Sequence, residues 1–131
     1  MIIQSKRIWV LGQFIEAQLE LEDGKIKNVL AYGAKPADKD YGERRIVPGF
    51  IDVHTHGAYG FDTNDAEEEG LRNWMKHIPE EGVTGICPTT ITQIEEVLTK
   101  AVKNVAKVVA DGYEGAEILG IHFEGPYLDM V

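Results

Sequence analysis

The sequence predicts a mixed α/β fold in which a strand-rich segment, residues 1–48, precedes a segment of alternating strands and helices, residues 49–131. Two observations predict it. Asp23-Gly24 is a hairpin turn signal between two runs of strand character. From Ile46 onward, short apolar runs alternate with stretches in which apolar residues recur at helical spacing. Such alternation implies parallel strands joined by crossover helices, as in a βα barrel or a doubly wound sheet.

The first segment is predicted to contain three strands and a loop. The strands cover the apolar run 8–11, the alternating run 14–21 and the returning run 26–32. Ala17, Leu19 and Leu21 share one face of the second strand. The polar stretch 33–45 is rich in charges and is predicted to be a loop.

The second segment is predicted to contain three strands: residues 46–54 with an interruption at Pro48-Gly49, residues 84–90 and residues 117–123. A helix is expected from about Asp65, which would cap it with Glu68 in the capping-box position. A second capping box, Thr92 with Glu95, is expected to start the other helix. The apolar faces of the two helices are predicted to be Leu71, Trp74, Met75 and Ile78, and Ile94, Val97, Leu98, Ala101, Val102, Val105 and Val109.

The charge and the cysteine count exclude several classes of partner. The formal net charge is −9, with 13 basic and 22 acidic residues. Nucleic acid and anionic membrane surfaces repel such a protein, so neither is an expected partner. No stretch approaches the roughly 20 apolar residues that span a bilayer. The single cysteine, Cys87, excludes an internal disulfide and fits a reducing, cytoplasmic compartment.

Two histidines follow the first apolar strand of the second segment. In a strand, alternate side chains share a face, so His54 and His56 point the same way with Cα atoms roughly 6.5 Å apart. Two imidazoles at this spacing can converge on one metal ion. Asp52 is expected on the same face, one step deeper, as a residue that supports the ligands.

A carboxylate follows the third strand. His122 and Glu124 also share a face, and Gly125-Pro126 ends the strand. A glutamate at the mouth of a buried parallel strand is costly unless it is paired or binds a cation. Because the carboxyl ends of parallel strands meet at one edge, Glu124 is predicted to be a third metal ligand beside His54 and His56. The sequence leaves two roles open for His122: support of the metal ligands, and packing alone.

These residues resemble a known family. Residues 47–57, VPGFIDVHTHG, are similar to the start of the amidohydrolase superfamily barrel, a pattern shared by acylases and deaminases. Residues 122–127, HFEGPY, look like the signature of the N-acetylglucosamine-6-phosphate deacetylases, in which the glutamate is the main metal ligand. The resemblance also includes GAYGFDT at 57–63 and PTT at 88–90.

The resemblance implies a fold and an activity. The fold would be a (β/α)8 TIM barrel, of which this chain holds three strands and two helices, preceded by part of a small β-sandwich domain. The activity would be hydrolysis of N-acetylglucosamine 6-phosphate to acetate and glucosamine 6-phosphate by a cytoplasmic homodimer that depends on a divalent metal, zinc or iron. Another amidohydrolase, an acylase or deaminase, and a non-catalytic metal-binding module remain alternatives.

A full barrel needs about 250 residues. We therefore expect this chain to be part of a longer enzyme and to be inactive alone. The general-base aspartate and the residues that bind the phosphorylated amino sugar are expected beyond Val131, so no catalytic residue is assigned within the chain.

Overall fold

A computed structural model describes residues 1–127 and divides the chain into two units, Met1–Pro48 and Gly49–Val131. The first unit is a five-stranded sheet. Its strands are β1 (Ile2–Val10), β2 (Gln13–Glu22), β3 (Lys25–Ala31), β4 (Lys39–Asp40) and β5 (Arg45–Ile46). Strands β3, β2 and β1 form an antiparallel meander, and β4 and β5 both pair with β1 in parallel.

The core of the first unit follows the predicted alternation. Ala17 and Leu19 are buried on β2 and pack with Ile8, while Leu21 is partly buried against them. Gln18 is also buried, and its amide bonds to the Gln4 side chain and to the backbone of Lys35. The buried amide is therefore paired, as a polar group in a core must be.

Three predictions in the first unit are wrong. The first strand begins at Ile2 rather than near residue 8, because its amino-terminal half pairs with residues 17–20 of β2. The stretch 33–45 is not a plain loop, because β4 and the first residue of β5 lie in it. Ile46 ends β5 in this sheet rather than opening the next strand, since Ile8 is its pairing partner. Pairing between residues far apart in sequence decides these short strands.

The second unit is built around one central strand. Its strands are β6 (Phe50–Thr55), β7 (Gly57–Ala58), β8 (Phe61–Asp62), β9 (Val83–Thr90), β10 (Glu117–Ile118) and β11 (His122–Phe123), and its helices are α1 (Glu68–His77) and α2 (Glu95–Asp111). Strands β6, β10 and β11 all pair in parallel with β9. The predicted third strand is thus two short pieces, β10 and β11, separated by residues 119–121.

The helices pack on this sheet through the predicted apolar residues. Leu71, Trp74, Met75 and Ile78 are buried and form one cluster with Ile86 of β9 and Val105 and Val108 of α2. On α2 the expected face is displaced: Ile94 and Val109 are exposed, while Asn104 and Val108 are buried. No helix in the described part of the chain is both long and apolar enough to cross a bilayer.

Both predicted capping boxes are wrong. Asp62 and Asp65 form a capping box around a single 3-10 turn, Thr63–Asp65, and the left-handed backbone of Ala66 (φ 57°) separates that turn from α1. Helix α2 begins after Ile94 without a side-chain cap. The Thr92 hydroxyl instead donates to the backbone carbonyl of Glu124, 3.4 Å away. The local pattern predicts that the Thr92 hydroxyl caps α2, but the hydroxyl bonds to a residue 32 positions away in sequence instead.

Candidate metal centre

The strand ends of the second unit bring the predicted ligands together. Nε2 of His54 and Nε2 of His56 each lie 3.1 Å from Oε2 of Glu124. One ligand atom from each of the three residues lies within 4.8 Å of the other two. Within residues 1–127, no other group of His, Cys, Asp and Glu side chains is assembled in this way.

The spacing suits a shared cation. Ligand atoms bound to one ion at about 2.0–2.2 Å lie about 2.8–3.6 Å apart when their bond angles are near 90–110°. Both nitrogen–oxygen separations fall in this range. The side chains are partly exposed, 48% for His54, 35% for His56 and 34% for Glu124, so solvent can reach them. Two imidazoles and a carboxylate form a donor set that suits zinc and iron alike.

The orientation of His56 is set by β9 and by the turn that follows. Its Nδ1 lies 3.3 Å from the carbonyl oxygen of Thr89. Its own carbonyl accepts hydrogen bonds from the backbone N–H and the hydroxyl of Thr63, at 2.7 and 2.8 Å. A proton on Nδ1 directed at the Thr89 carbonyl leaves the lone pair on Nε2, the nitrogen that faces Glu124.

A bulge shapes the strand that carries His54. Asp52 pairs with Ile86 and Thr55 pairs with Pro88, so three steps along β6 match two along β9. The register therefore slips by one residue beside His54. The Asp52 carboxylate accepts a hydrogen bond from the backbone N–H of His54, at 3.1 Å.

His122 lies against His54. The two rings are stacked, with centroids 4.6 Å apart. Nδ1 of His122 lies 2.8 Å from the carbonyl oxygen of Val53. This residue thus contacts both the ring of a predicted ligand and the backbone just before it.

Glu124 is attached to the sheet through its backbone. Its N–H donates to the Thr90 carbonyl at 3.3 Å, and its carbonyl accepts the Thr92 hydroxyl. The residue after it, Gly125, adopts a positive φ of 90°, and a Cβ there would overlap the Thr92 side chain. The glycine is therefore required for the close approach of the two loops that position the carboxylate.

Two polar residues at this edge of the sheet are not among the predicted site residues, although the sequence leaves open that Thr89 borders the site. Thr89 is fully buried and contacts both Thr55 and His56, although its sequence context favours a turn or capping role. Asn64 exchanges two hydrogen bonds with the backbone of Ile91, at 2.9 and 3.2 Å. The position of Thr89 at the end of a buried strand indicates such contacts, because a buried polar side chain needs a specific hydrogen-bond partner.

The chain is similar to known amidohydrolases. The model of the amidohydrolase family matches residues 45–130. N-acetylglucosamine-6-phosphate deacetylase from Bacillus subtilis is 39% identical over 115 residues, which are 82% of this chain and 29% of that protein. The human enzyme of the same name is 40% identical over 93 residues, 69% of this chain and 22% of that protein. The chain thus spans less than a third of the length of these curated relatives.

Solved structures of deacetylases of this name are similar to this chain over nearly its whole length. A deacetylase of this name from Mycobacterium smegmatis superposes with a TM-score of 0.86 at 27% identity, covering 98% of this chain and 36% of that one. A mutant of that enzyme in complex with N-acetyl-D-glucosamine-6-phosphate gives 0.81 at 27% identity, covering 98% and 33%. The enzyme from Pasteurella multocida gives 0.84 at 26% identity, covering 99% and 36%. The chain belongs to the amidohydrolase family, and its sequence and fold are similar to those of N-acetylglucosamine-6-phosphate deacetylases.

Proposed function

We propose that the chain supplies three ligands, His54, His56 and Glu124, to a divalent metal centre. The enzyme that contains it would hydrolyse N-acetylglucosamine 6-phosphate to glucosamine 6-phosphate and acetate. The observation that carries this proposal is the convergence of the three ligand atoms within 4.8 Å at the carboxyl ends of neighbouring parallel strands. The names of the related proteins support the substrate, and the donor set supports zinc or iron.

The residues of this chain would bind and orient the reacting groups. When bound, a divalent ion lowers the pKa of a water molecule and polarises the amide carbonyl. Glu124 contributes the negative charge of the ligand set, and the carbonyl of Thr89 keeps Nε2 of His56 free to bind. Asp52 and His122 would position His54 through its backbone and its ring. The proton-transfer aspartate that the family resemblance implies is expected beyond Val131.

We further propose that β6, β9 and the β10–β11 pair, with α1 and α2, form the first part of a (β/α)8 barrel. The parallel pairing with β9 and the position of the ligands at the carboxyl ends of the strands support this. The five strands of the first unit would belong to a small β-sandwich. The lone thiol supports a cytoplasmic location, and the family resemblance suggests a homodimer.

The experiment measures metal binding and amide hydrolysis separately. Zn²⁺ and Fe²⁺ affinities are measured for the 131-residue chain. Acetate release from N-acetylglucosamine 6-phosphate is measured for this chain and for a full-length protein that contains it. We expect the chain to bind the metal without turnover. The full-length protein should release acetate, and removal of the metal with a chelator should stop it.

Control substrates separate the alternatives. N-acetylglucosamine without the phosphate should be a much poorer substrate than the phosphorylated sugar. Hydrolysis of an N-acyl amino acid or deamination of a nucleobase, without acetate release from the sugar phosphate, would assign the protein to a different amidohydrolase activity. Substantial turnover by the 131-residue chain alone would overturn the expectation that the chain is only part of the active site.

A further inference from the structure

The ladder between β6 and β9 breaks register between Asp52 and Thr55, beside His54. Beyond the slip, Thr55 pairs with Pro88. The backbone N–H of Thr55 also donates to the hydroxyl oxygen of Thr89, 3.0 Å away. A hydrogen bond from a buried side chain of β9 therefore supports the irregular part of β6.

Thr89 reaches both sides of this break. Its side chain is fully buried, and its hydroxyl donates to the carbonyl of Cys87 at 3.1 Å, which leaves the oxygen lone pairs for Thr55. Its own carbonyl lies 3.3 Å from Nδ1 of His56. One residue therefore contacts the backbone between the two histidines and the ring of the second.

We propose that Thr89 is a positioning residue for the metal ligands. Its hydroxyl holds the bulged backbone at Thr55, so that His54 and His56 present their Nε2 atoms to Glu124 together. Its carbonyl selects the tautomer of His56 that leaves Nε2 free. This inference rests on the proposed metal centre, and it assigns no contact between Thr89 and the metal or the substrate.

The neighbouring residue provides a matched control. Thr90 is as buried as Thr89, but its hydroxyl has no hydrogen-bond partner among residues 1–127. Threonine and valine have nearly the same shape, so Thr→Val removes a hydroxyl at either position with little change in packing. Only the Thr89 hydroxyl bonds to the strand of the ligands.

The experiment compares Thr89→Val, Thr89→Ser and Thr90→Val with the unaltered 131-residue chain. Zn²⁺ affinity is measured by competition with a chromophoric chelator, and the absorption bands of the Co²⁺-loaded protein report the ligand geometry. Supporting contacts of metal ligands are typically worth 10–100-fold in affinity, so we expect Thr89→Val to weaken Zn²⁺ binding by about tenfold or more. The Co²⁺ bands should also shift. Thr89→Ser, which keeps the hydroxyl, and Thr90→Val should both resemble the unaltered chain.

Two results would overturn the role of Thr89, and a third would overturn the metal centre. Equal affinity and an unchanged Co²⁺ spectrum in Thr89→Val would overturn the proposal, and so would a loss in Thr89→Ser as large as that in Thr89→Val. If Thr89→Val does not fold, Thr89→Cys takes its place with the same expectation, because a thiol is only a weak hydrogen-bonding group. Failure of the unaltered chain to bind Zn²⁺ or Co²⁺ would overturn the metal centre itself, which is a distinct outcome.

Discussion

The imidazole ring of His122 stacks on that of His54, with centroids 4.6 Å apart and planes inclined by 29°. Nδ1 of His122 is 2.8 Å from the carbonyl oxygen of Val53, so the backbone next to His54 orients the ring that contacts it. The two residues are 68 positions apart in sequence and meet because β6 and β11 flank the same strand, β9. This contact limits the rotation of the His54 ring.

Replacing His122 by alanine should weaken metal binding. Loss of the stacked ring frees the His54 side chain, and outer contacts of this kind are worth about 10–100-fold in metal affinity. The measurement is a Zn²⁺ competition titration. His122→Phe is the control, because it keeps a stacked ring and should lose less than His122→Ala. An unchanged Kd in His122→Ala would show that His122 serves packing alone.

Metal binding should stabilise the chain through Glu124. At a Zn²⁺ concentration 100 times its Kd, the folded state should gain about 2.7 kcal/mol, seen as a rise in Tm by calorimetry. Glu124→Gln keeps the shape but removes the charge, and it should lower the affinity by about 100-fold or more, since it removes a ligand rather than a supporting contact. Glu117→Gln, at an exposed position of β10, is the matched control. An equal Zn²⁺-dependent rise in Tm for both variants would contradict the assignment of Glu124.

Gly57 should tolerate no side chain. It follows His56, and a Cβ at this position would overlap the backbone carbonyl of Phe61 across the β7–β8 pair. Gly57→Ala should therefore destabilise the fold by about 3 kcal/mol, because the backbone cannot yield as a flexible side chain does. The midpoint of urea unfolding measures this change.

Gly60 in the same turn is the comparison for Gly57. Its φ is +80°, but no atom lies near the position of an added Cβ, so Gly60→Ala should cost only about 1 kcal/mol of backbone strain. Equal costs for the two alanine variants would show that the close contact at Gly57 relaxes freely.

An ion pair links α1 to α2 and should give a small pH-dependent stabilisation. Nζ of Lys107 lies 2.7 Å from Glu68 and 2.9 Å from Asp111. Its hydrogen bond to Asp111 holds the pKa of that carboxyl below its usual range, and the same hydrogen bond, followed by the one to Glu68, raises the pKa of Lys107. The carboxyl contribution is complete above the ordinary aspartate pKa and is lost as the pH falls through the lowered value.

The stability contribution of Lys107 depends on pH in the opposite direction. Its contribution is complete below the ordinary lysine pKa and is lost as the pH rises through the raised value. Lys107→Met should therefore lower Tm slightly at pH 7, where both groups are charged, and the difference from the unaltered chain should shrink in acid and in high salt. Lys103→Met is the control, since the described residues offer Lys103 no ion pair. A Tm difference that persists in acid would contradict the electrostatic explanation.

The apolar faces and the spacing of the ligands were predictable because they depend on local geometry. Leu71, Trp74 and Met75 recur at the helical period, and all three are buried. The two-residue period of a strand predicts that His54 and His56 converge, and in the structure the Nε2 atoms of both lie 3.1 Å from the same carboxylate oxygen of Glu124. Such periodicities survive in any tertiary setting that buries one face of the element.

The sequence by itself determined the order of the longer strands and the two helices, and the ligand types at the strand ends, since backbone periods and donor chemistry are properties of nearby residues. Only the tertiary structure decided the bulge after Asp52, the division of the third strand and the use of Thr92 to bind the loop of Glu124. Each of these depends on which distant group satisfies a buried hydrogen-bonding atom. No local pattern contains that information, because the partners meet only when β6 and β11 pair with β9.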